Sequence, residues 1–172
     1  MTEFIPVLKK DSIDIIVNDL ARRISSDYKN SELILIGVLK GSVIFLSDLM
    51  RSLTIPVKID FVRVSSYGSG TSSSGKINLT KDIEIDIKNK DVLIIEDIVD
   101  TGLTLTYLVD HFKSFGPKSV KICSLLDKHE RRKTDIKVDY IGHAVKDGFL
   151  IGYGIDYNED FRYLPDIYHM KL

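Results

Sequence analysis

The stretch VLIIEDIVDTGLTL, Val92 to Leu105, indicates the fold class more clearly than any other part of the chain. Its four consecutive apolar residues are typical of a strand covered on both faces, as the strands of a parallel sheet are. Three acids, Glu96, Asp97 and Asp100, nevertheless stand within five positions at the end of this strand. Because an ordinary turn does not need three carboxylates, the stretch predicts both a buried strand and a ligand site.

Helical and strand patterns alternate along the chain on both sides of this stretch. DSIDIIVNDLARRISSDY predicts an amphipathic helix that Asp11 or Ser12 caps, and VIFLSDLM predicts a second helix with Ser42 as its N-cap. KINLTKDIEIDIKNK indicates one or two half-exposed strands, and a third helix is predicted from Leu105 to Phe112. Strands are predicted at 33–39, 57–64, 91–99 and 120–127, and those at 33–39 and 91–99 are expected to be buried. The apolar runs at 138–145 and 148–155 indicate two more. This alternation predicts an α/β fold with a mostly parallel twisted sheet flanked by helices.

The composition fits one compact domain over residues 1–172, because a chain of this length with 44% apolar residues can bury a substantial core. Lysine and arginine number 24 against 25 for aspartate and glutamate, so the net charge of -1 gives no global attraction to nucleic acid or an anionic membrane. The single cysteine, Cys123, excludes an internal disulfide. With no leader pattern and no apolar run near the ~20 residues that span a bilayer, we expect a cytoplasmic protein.

The turn after the strand carries the donors that a phosphate group needs. In parallel α/β sheets, ligands bind beyond the carboxyl ends of strands, where loops lead into helix N-termini. Free N–H groups from Asp100 to Thr104, the hydroxyls of Thr101 and Thr104, and the permissive backbone of Gly102 would form such a cradle. The nearby acids suit a sugar phosphate, because they could accept hydrogen bonds from sugar hydroxyls, face positive charge developing on the sugar, or transfer a proton. Asp100 could also merely cap the helix.

Other well-known phosphate and metal motifs are absent from the sequence. It contains no G-x-x-x-x-G-K-[ST], GYGIDY lacks the third glycine of a dinucleotide fingerprint, and none of the four histidines lies in H-E-x-x-H. The sequence therefore argues against a P-loop, a dinucleotide-binding site of this type and a zinc protease.

Two acids that close an apolar strand and are followed by D-T-G-x-T resemble the phosphoribosyl-pyrophosphate binding motif of type I phosphoribosyltransferases. IIEDIVDTGLT is similar to the hypoxanthine-guanine branch of that family. The segments GVLKGS, SSYGSGTSSSG, SLLDK and DGFLIGYGIDYNEDFR occur in the family's order, so the resemblance covers nearly everything from Leu33 to Leu164. It implies a small hood built from the chain ends and a flexible lid loop at about residues 65–75.

The resemblance implies roles for the residues around the opening stretch. Glu96 and Asp97 would bind the ribose 2' and 3' hydroxyls. Asp100 would be the general base or acid at N7 of a purine. The 5'-phosphate would be bound by the loop from Asp100 to Thr104, which supplies Thr101, Gly102, Leu103 and Thr104.

The pyrophosphate contacts implied by the resemblance come from two other segments. Lys40 and Gly41 in LKGS would meet the pyrophosphate, after a Leu39–Lys40 peptide bond that is often cis in the family. Arg162 would reach the same group. Magnesium would be contacted by Asp156, together with Glu96 and Asp97.

The purine would be held by residues in the last third of the chain. The resemblance implies that Lys128 meets the purine O6, Phe149 stacks on the base and Leu150 offers backbone groups to the ring edge. Ordinary structural roles are also open: Lys128 begins the charged run KHERRK, which could be a solvated turn, and Phe149 could be a core residue. Asp156 and Arg162 could form a surface pair.

The serine- and glycine-rich segment resembles the family's mobile lid, with Ser66 and Tyr67 leading it. It lies between two predicted strands of one domain, where a long structureless loop is often functional. Its closure would exclude water from a reactive, cation-like sugar.

Together these matches imply a purine salvage enzyme. It would transfer the 5-phosphoribosyl group from phosphoribosyl pyrophosphate to N9 of hypoxanthine, and of guanine, giving IMP or GMP and pyrophosphate. Mg²⁺ is the implied cofactor, and phosphoribosyl pyrophosphate and a 6-oxopurine are the implied partners. A homodimer or homotetramer is implied as well.

Two other interpretations stay open at this point. A regulator with the same fold would bind RNA or DNA, although the net charge is -1 and KHERRK is the only dense basic cluster. A phosphoribosyltransferase for xanthine, uracil or orotate is the second alternative. Lys128 and Phe149 favour a 6-oxopurine, with hypoxanthine as the first choice.

Overall fold

The structure is a computed structural model that describes residues 3–66 and 77–171. The predicted lid covers about residues 65–75: Ser65 and Ser66 lie at the end of a strand, and residues 67–75 lie outside the described residues, as does the side chain of Ser66. The elements in chain order are β1 (Glu3–Leu8), α1 (Lys10–Asp27), β2 (Leu33–Leu39), α2 (Val43–Ser52), β3 (Val57–Ser66), β4 (Ile77–Lys81), β5 (Asp91–Val99), α3 (Leu103–Lys113), β6 (Ser119–Asp127), a 3₁₀ turn (His129–Arg131), β7 (Tyr140–Ala144), β8 (Phe149–Ile151) and β9 (Ile167–Lys171).

The main sheet has six strands in the order β4-β3-β2-β5-β6-β7. All neighbouring pairs from β3 to β7 are parallel, and β4 pairs with β3 in the antiparallel direction at one edge. The predicted α/β class, with a mostly parallel sheet, is therefore confirmed.

Each central strand contributes side chains to two separate cores, because successive side chains of a strand point to opposite faces. On one face, Leu35 and Leu93 pack with α1 and α2. On the other, Ile36 and Ile94 pack with the apolar side of α3, including Phe112. This arrangement explains why β2 and β5 read as continuous apolar runs and places helices on both sides of the sheet.

Helix α1 begins one residue before the predicted cap, so Asp11 and Ser12 lie inside it and the prediction that either residue caps the helix is wrong. The residue before the helix, Lys9, makes no side-chain cap. Instead, the Lys10 amide donates to the Asp166 carboxylate at 2.7 Å, so a residue from the opposite end of the chain satisfies this terminus. Ser42 does stand at the N-cap of α2, but its hydroxyl donates to the Val38 carbonyl at 2.8 Å.

The segment after the undescribed loop forms one strand, β4, followed by an irregular stretch up to β5. The carboxylate of Asp60 on β3 helps to hold this stretch, since it accepts hydrogen bonds from the amides of Glu84 (2.6 Å) and Ile85 (3.0 Å). Burial opposes ionisation of Asp60, but these amides, together with the charge of Lys81, hold its pKa below the ordinary value. The buried Ile87 packs into the same core as α3.

The two ends of the chain meet in a second, antiparallel sheet with the order β1-β9-β8. The sequence patterns did not predict the strands β1 and β9. They lie at the two chain ends, from which the resemblance implies a hood. Among residues 3–66 and 77–171, no helix is long and apolar enough to cross a membrane.

Two isoleucines of α1 offer a matched test of the core. Ile13 is fully buried and Ile15 is 71% exposed on the same helix. We expect Ile13→Ala to lower the free energy of unfolding by about 2–5 kcal/mol, because it leaves a cavity. Ile15→Ala should change it by less than about 0.5 kcal/mol. Urea denaturation of both variants measures the difference, and equal losses would show that this face of α1 does not pack as described.

Candidate active site

The site lies at the end of the main sheet where neighbouring parallel strands have their carboxyl ends. Because β2, β5 and β6 are adjacent and parallel, the residues that follow them are brought to the same edge. Lys40 follows β2, Asp100 follows β5 and Lys128 follows β6. Three predicted site segments that are far apart in sequence therefore become neighbours.

The loop between β5 and α3 encloses a cavity of about 120 Å³. Gly102 stands at the N-cap of α3 with a φ of 83°, a conformation that other residues rarely adopt. The hydroxyl of Thr101 accepts a long hydrogen bond from the Leu103 amide, at 3.4 Å. The first amides of α3 have no hydrogen-bond partner within the helix, and the first turn of α3 contains no acidic residue. The cavity therefore suits an anion. Its lining includes Glu96, Asp100, Thr101, Gly102 and Thr104.

The two acids at the end of β5 have different surroundings. Glu96 is buried, and its burial and then the negative charge of Asp97 raise the pKa of its carboxyl well above the ordinary value. Asp97 is half-buried and accepts a hydrogen bond from the Ile98 amide at 2.9 Å. Two adjacent carboxylates of this kind favour a ligand that brings positive charge or several hydroxyl donors.

The loop after β2 lies directly against this acid pair. A Cβ atom at Gly41 would overlap the carboxylate of Asp97, so only glycine allows this approach. The Leu39–Lys40 peptide bond is cis, as the resemblance implies. The Lys40 side chain extends from the loop, and its Nζ lies 2.5 Å from Oε2 of Glu159.

The tail segment completes this side of the site. The Arg162 Nη2 atom lies 2.8 Å from the Asp156 carboxylate, and its Nη1 donates to the Gly154 carbonyl at 2.7 Å. Gly154 in turn packs against the backbone of Gly41. The structure therefore places Lys40, Asp156 and Arg162 in one region, and it adds Glu159, which sequence reasoning missed although it lies in the quoted DYNED segment.

The opposite side of the site contains the residues predicted to bind a base. Lys128 is buried, and its Nζ donates to the Gly148 carbonyl at 2.6 Å, so its assignment to a solvated turn is wrong. Phe149 is 58% exposed, so its assignment to the core is also wrong. Its ring meets that of Tyr157 edge-on, with centroids 6.2 Å apart. Leu150 is buried in β8.

Asp100 lines the cavity, and its side chain contacts the turn that follows Lys128. One of its carboxylate oxygens, Oδ1, lies 3.2 Å from Nε of Arg131, a residue that sequence reasoning did not select. Arg131 also approaches the Asp147 carboxylate, at 3.3 Å. The only sequence signal for Arg131 is its place in KHERRK, three residues after Lys128.

Within the described residues, no three His, Cys, Asp or Glu side chains are arranged to hold a metal ion. Glu96, Asp97 and Asp156 thus do not form a cage made of protein ligands alone. Tyr67 and the side chain of Ser66, predicted to lead the lid, lie outside the described residues. The arrangement combines an anion cavity, an acid pair, two cations near a glycine loop, and a buried lysine beside an exposed aromatic ring. It can bind a phosphorylated sugar next to a flat heterocycle.

Comparison with known proteins agrees with this geometry. The family model of the phosphoribosyl transferase domain matches residues 7–158. A hypoxanthine phosphoribosyltransferase of Buchnera aphidicola subsp. Schizaphis graminum is 45% identical over 94% of this chain and 92% of that protein. A hypoxanthine-guanine phosphoribosyltransferase of Bacillus subtilis is 44% identical, over 96% and 92%. A crystal structure of a hypoxanthine phosphoribosyltransferase from Staphylococcus aureus superposes with a TM-score of 0.93 at 43% identity, over 96% of this chain and 90% of that chain.

Two glycines with similar positive φ angles test the shape of the cavity loop. A Cβ atom at Gly102 would lie 2.5 Å from Oγ1 of Thr134 and 2.9 Å from Cγ2 of Ile136. At Gly116, whose φ is 72°, the nearest atom would be Cγ of Lys88 at 3.9 Å. Both alanine variants carry the left-handed penalty of about 1–2 kcal/mol, and only Gly102→Ala adds a steric overlap.

We therefore expect Gly102→Ala to lower the free energy of unfolding by at least about 1 kcal/mol more than Gly116→Ala does. Urea denaturation measures both values. A Gly116→Ala variant that is the less stable of the two would contradict the packing described for this loop.

Proposed function

The chain belongs to the phosphoribosyl transferase family, in its hypoxanthine-guanine branch, and on this premise we propose the reaction that it performs. It transfers the 5-phosphoribosyl group of phosphoribosyl pyrophosphate to N9 of hypoxanthine, and of guanine. The products are IMP or GMP and pyrophosphate. The observation that carries this proposal is the meeting of the anion cavity at Gly102 with the buried Lys128 at one edge of the sheet.

The 5'-phosphate occupies the cavity after β5. Its oxygens accept hydrogen bonds from the two threonine hydroxyls and from the amides of Thr101, Gly102, Leu103 and Thr104. The open N-terminus of α3 adds a favourable dipole for an anion. Binding at this point fixes one end of the substrate, so that the reacting carbon C1' lies further along the edge.

Glu96 and Asp97 bind the 2' and 3' hydroxyls of the ribose. As pyrophosphate leaves, positive charge develops on C1' and the ring oxygen, and carboxylates held nearby stabilise it. In the free protein, burial favours the neutral form of Glu96. The approach of a cationic group would favour its ionised form.

Lys40, Gly41 and Arg162 bind the pyrophosphate. The backbone of Gly41 can approach a phosphate closely because it carries no side chain. Lys40 and Arg162 are held by Glu159 and Asp156 in the free protein, and both cations are partly exposed. Pyrophosphate oxygens can replace these carboxylates as partners.

Lys128 recognises the oxygen at C6 of the purine. Its ammonium group can only donate, so it matches a carbonyl oxygen and mismatches the amino group of adenine. The exposed ring of Phe149 stacks on the base, and the backbone of Leu150 meets the ring edge. These contacts support a 6-oxopurine.

Asp100 transfers the proton at N7. As N9 bonds to C1', a base protonated at N7 acquires positive charge, and the Asp100 carboxylate accepts that proton. In the reverse direction the same carboxyl returns it. The remaining work of the site is to hold N9 and C1' in line.

Mg²⁺ fits the donors that the site offers. This ion usually keeps several waters and takes one or two carboxylates plus substrate phosphates, so it does not need a cage of three protein ligands. The residues that would contact the ion or its waters are Glu96 and Asp97 at the sugar and Asp156 near Arg162. When bound, the ion neutralises pyrophosphate charge and helps its departure.

Three further features belong to the same proposal. Ser66 and Tyr67 would contact the substrate from the segment that resembles the family's lid. The enzyme acts in the cytoplasm, with which a single buried cysteine is consistent. It assembles as a homodimer or homotetramer; Ile44 on α2 and Tyr163 in the tail are exposed beside a shared groove of about 560 Å³, which supports a protein contact there.

The direct test is the release of pyrophosphate from phosphoribosyl pyrophosphate, with hypoxanthine, guanine, xanthine, adenine and uracil offered in parallel. We expect release with hypoxanthine and guanine, and its loss when Mg²⁺ is removed with EDTA. Release with uracil or adenine alone would assign the enzyme to another base. No release with any base, from folded protein that still binds phosphoribosyl pyrophosphate, would favour a regulator that binds nucleic acid.

Asp100→Ala tests the proton transfer. We expect the turnover number to fall by a factor of ~10² or more, the usual size of a positioned acid–base contribution. Binding of phosphoribosyl pyrophosphate, measured by calorimetry, should stay close to that of the unaltered chain. Asp110→Ala, which removes an exposed acid from α3, is the matched control. Unchanged turnover in Asp100→Ala would remove this residue from the mechanism.

A further inference from the structure

We propose that Arg131 is a positioning residue, which holds the acid–base carboxyl and the purine-binding turn in one fixed arrangement. The inference rests on the proposed function, because it assigns Arg131 a role relative to Asp100 and Lys128. Arg131 ends the 3₁₀ turn that follows β6. This turn is anchored to the site by the Lys128 amide, which donates to the Val99 carbonyl at 2.9 Å.

The first contact of Arg131 is with Asp100. Its Nε lies 3.2 Å from Oδ1 of Asp100, in an ion pair. This oxygen is buried and accepts no well-aligned hydrogen bond from the described residues. The Asp100 side chain is nevertheless 37% exposed, so its exposed surface lies on atoms other than Oδ1. Arg131 thus covers one side of the carboxyl and leaves the other side open to a ligand.

The second contact of Arg131 is with the turn that carries the base-binding residues. Its Nη1 lies 3.3 Å from Oδ1 of Asp147, and the same oxygen accepts a hydrogen bond from the Gly148 amide at 2.8 Å. The Gly148 carbonyl accepts the hydrogen bond from Lys128 Nζ. The guanidinium of Arg131 therefore connects Asp100 to Lys128, by way of Asp147 and Gly148.

A purely structural explanation assigns Arg131 little importance. Its side chain is 49% exposed and that of Asp147 is 63% exposed, and exposed ion pairs contribute little to stability. For catalysis, however, the position of Arg131 matters more than its contribution to stability. N7 and O6 lie on the same edge of a purine, so the groups that meet them need a fixed separation. A planar guanidinium with several donors can set that separation, because it can hold two carboxylates at once.

Steady-state kinetics of Arg131→Ala test the proposal. We expect kcat with hypoxanthine to fall about tenfold, the size of one charge-assisted contact, and KM for hypoxanthine to rise. KM for phosphoribosyl pyrophosphate should change less than KM for hypoxanthine. Among the described residues, the ion pairs of Arg131 are with the side chains of Asp100 and Asp147, and neither pair involves residues 101–104, Lys40 or Arg162. Arg22→Ala is the control, since Arg22 forms an exposed ion pair with Asp19 on α1, outside the site. The unaltered chain comes first, because its failure to release pyrophosphate would refute the proposed function itself.

Asp147→Ala and a double variant separate positioning from simple loss of folding. Asp147→Ala should raise KM for hypoxanthine and leave kcat nearly unchanged, since Arg131 still contacts Asp100. In an Asp100→Ala background, Arg131→Ala should no longer lower kcat, because the group that it positions is gone. An equal reduction of kcat in both backgrounds would overturn the proposal, and so would Arg131→Ala kinetics equal to those of Arg22→Ala.

Arg131→Lys provides a milder change if Arg131→Ala does not fold. A lysine keeps the charge but cannot hold two carboxylates in the geometry of a guanidinium. We expect it to recover part of kcat while KM for hypoxanthine stays raised. Values of kcat and KM equal to those of the unaltered chain would overturn the proposal.

Discussion

The parallel pairing of β2, β5 and β6 is the constraint on which the rest of the site depends. A parallel sheet buried on both faces leaves its strand ends as the natural places for polar groups, and parallel direction sends those ends to one edge. The register sets their level: Gly37 pairs with Ile95 as the last pair between β2 and β5, and Gly41 and Asp97 each lie a few residues beyond that pair. The contact between Gly41 and the Asp97 carboxylate follows from this register.

Two cations at the carboxyl ends of these strands form ion pairs in which substrate oxygens could replace the protein carboxylate. Lys40 and Arg162 face pyrophosphate in the proposed complex, and in the free protein each is held by a carboxylate of the tail. Such partly exposed pairs are weak, so their replacement by phosphate oxygens costs little. Glu96 differs because its burial, and then the charge of Asp97, raise the pKa of its carboxyl well above the ordinary value, so its charge state depends on what binds beside it.

Local patterns in the sequence predicted the elements whose residues are neighbours along the chain. The apolar runs of β2, β5 and β6 and the helical spacing of α1 and α3 were enough to indicate the sheet and its helices, and the D-T-G-x-T motif indicated the cavity. Contacts between distant segments could not be found in this way. The cap of α1 is Asp166, 156 residues away, and the partner of Lys40 is Glu159, 119 residues away. No periodicity encodes such pairs, and β1 and β9 escaped notice because each is short and finds its partner at the other end of the chain.

Arg131 shows how a residue can matter without a recognisable motif. In sequence it belongs to a charged run with no apolar period, which is typical of a solvated turn. In the structure that run folds back after Lys128, and a single side chain meets carboxylates from two separate segments. A purine presents N7 and O6 on one rigid edge, so a site that reads both atoms gains from groups whose separation is equally rigid. The contacts run from Asp100 through Arg131, Asp147 and Gly148 to Lys128, whose amide donates to the carbonyl of Val99 beside Asp100. In the proposed site, this closed set of contacts would fix the separation before a base binds.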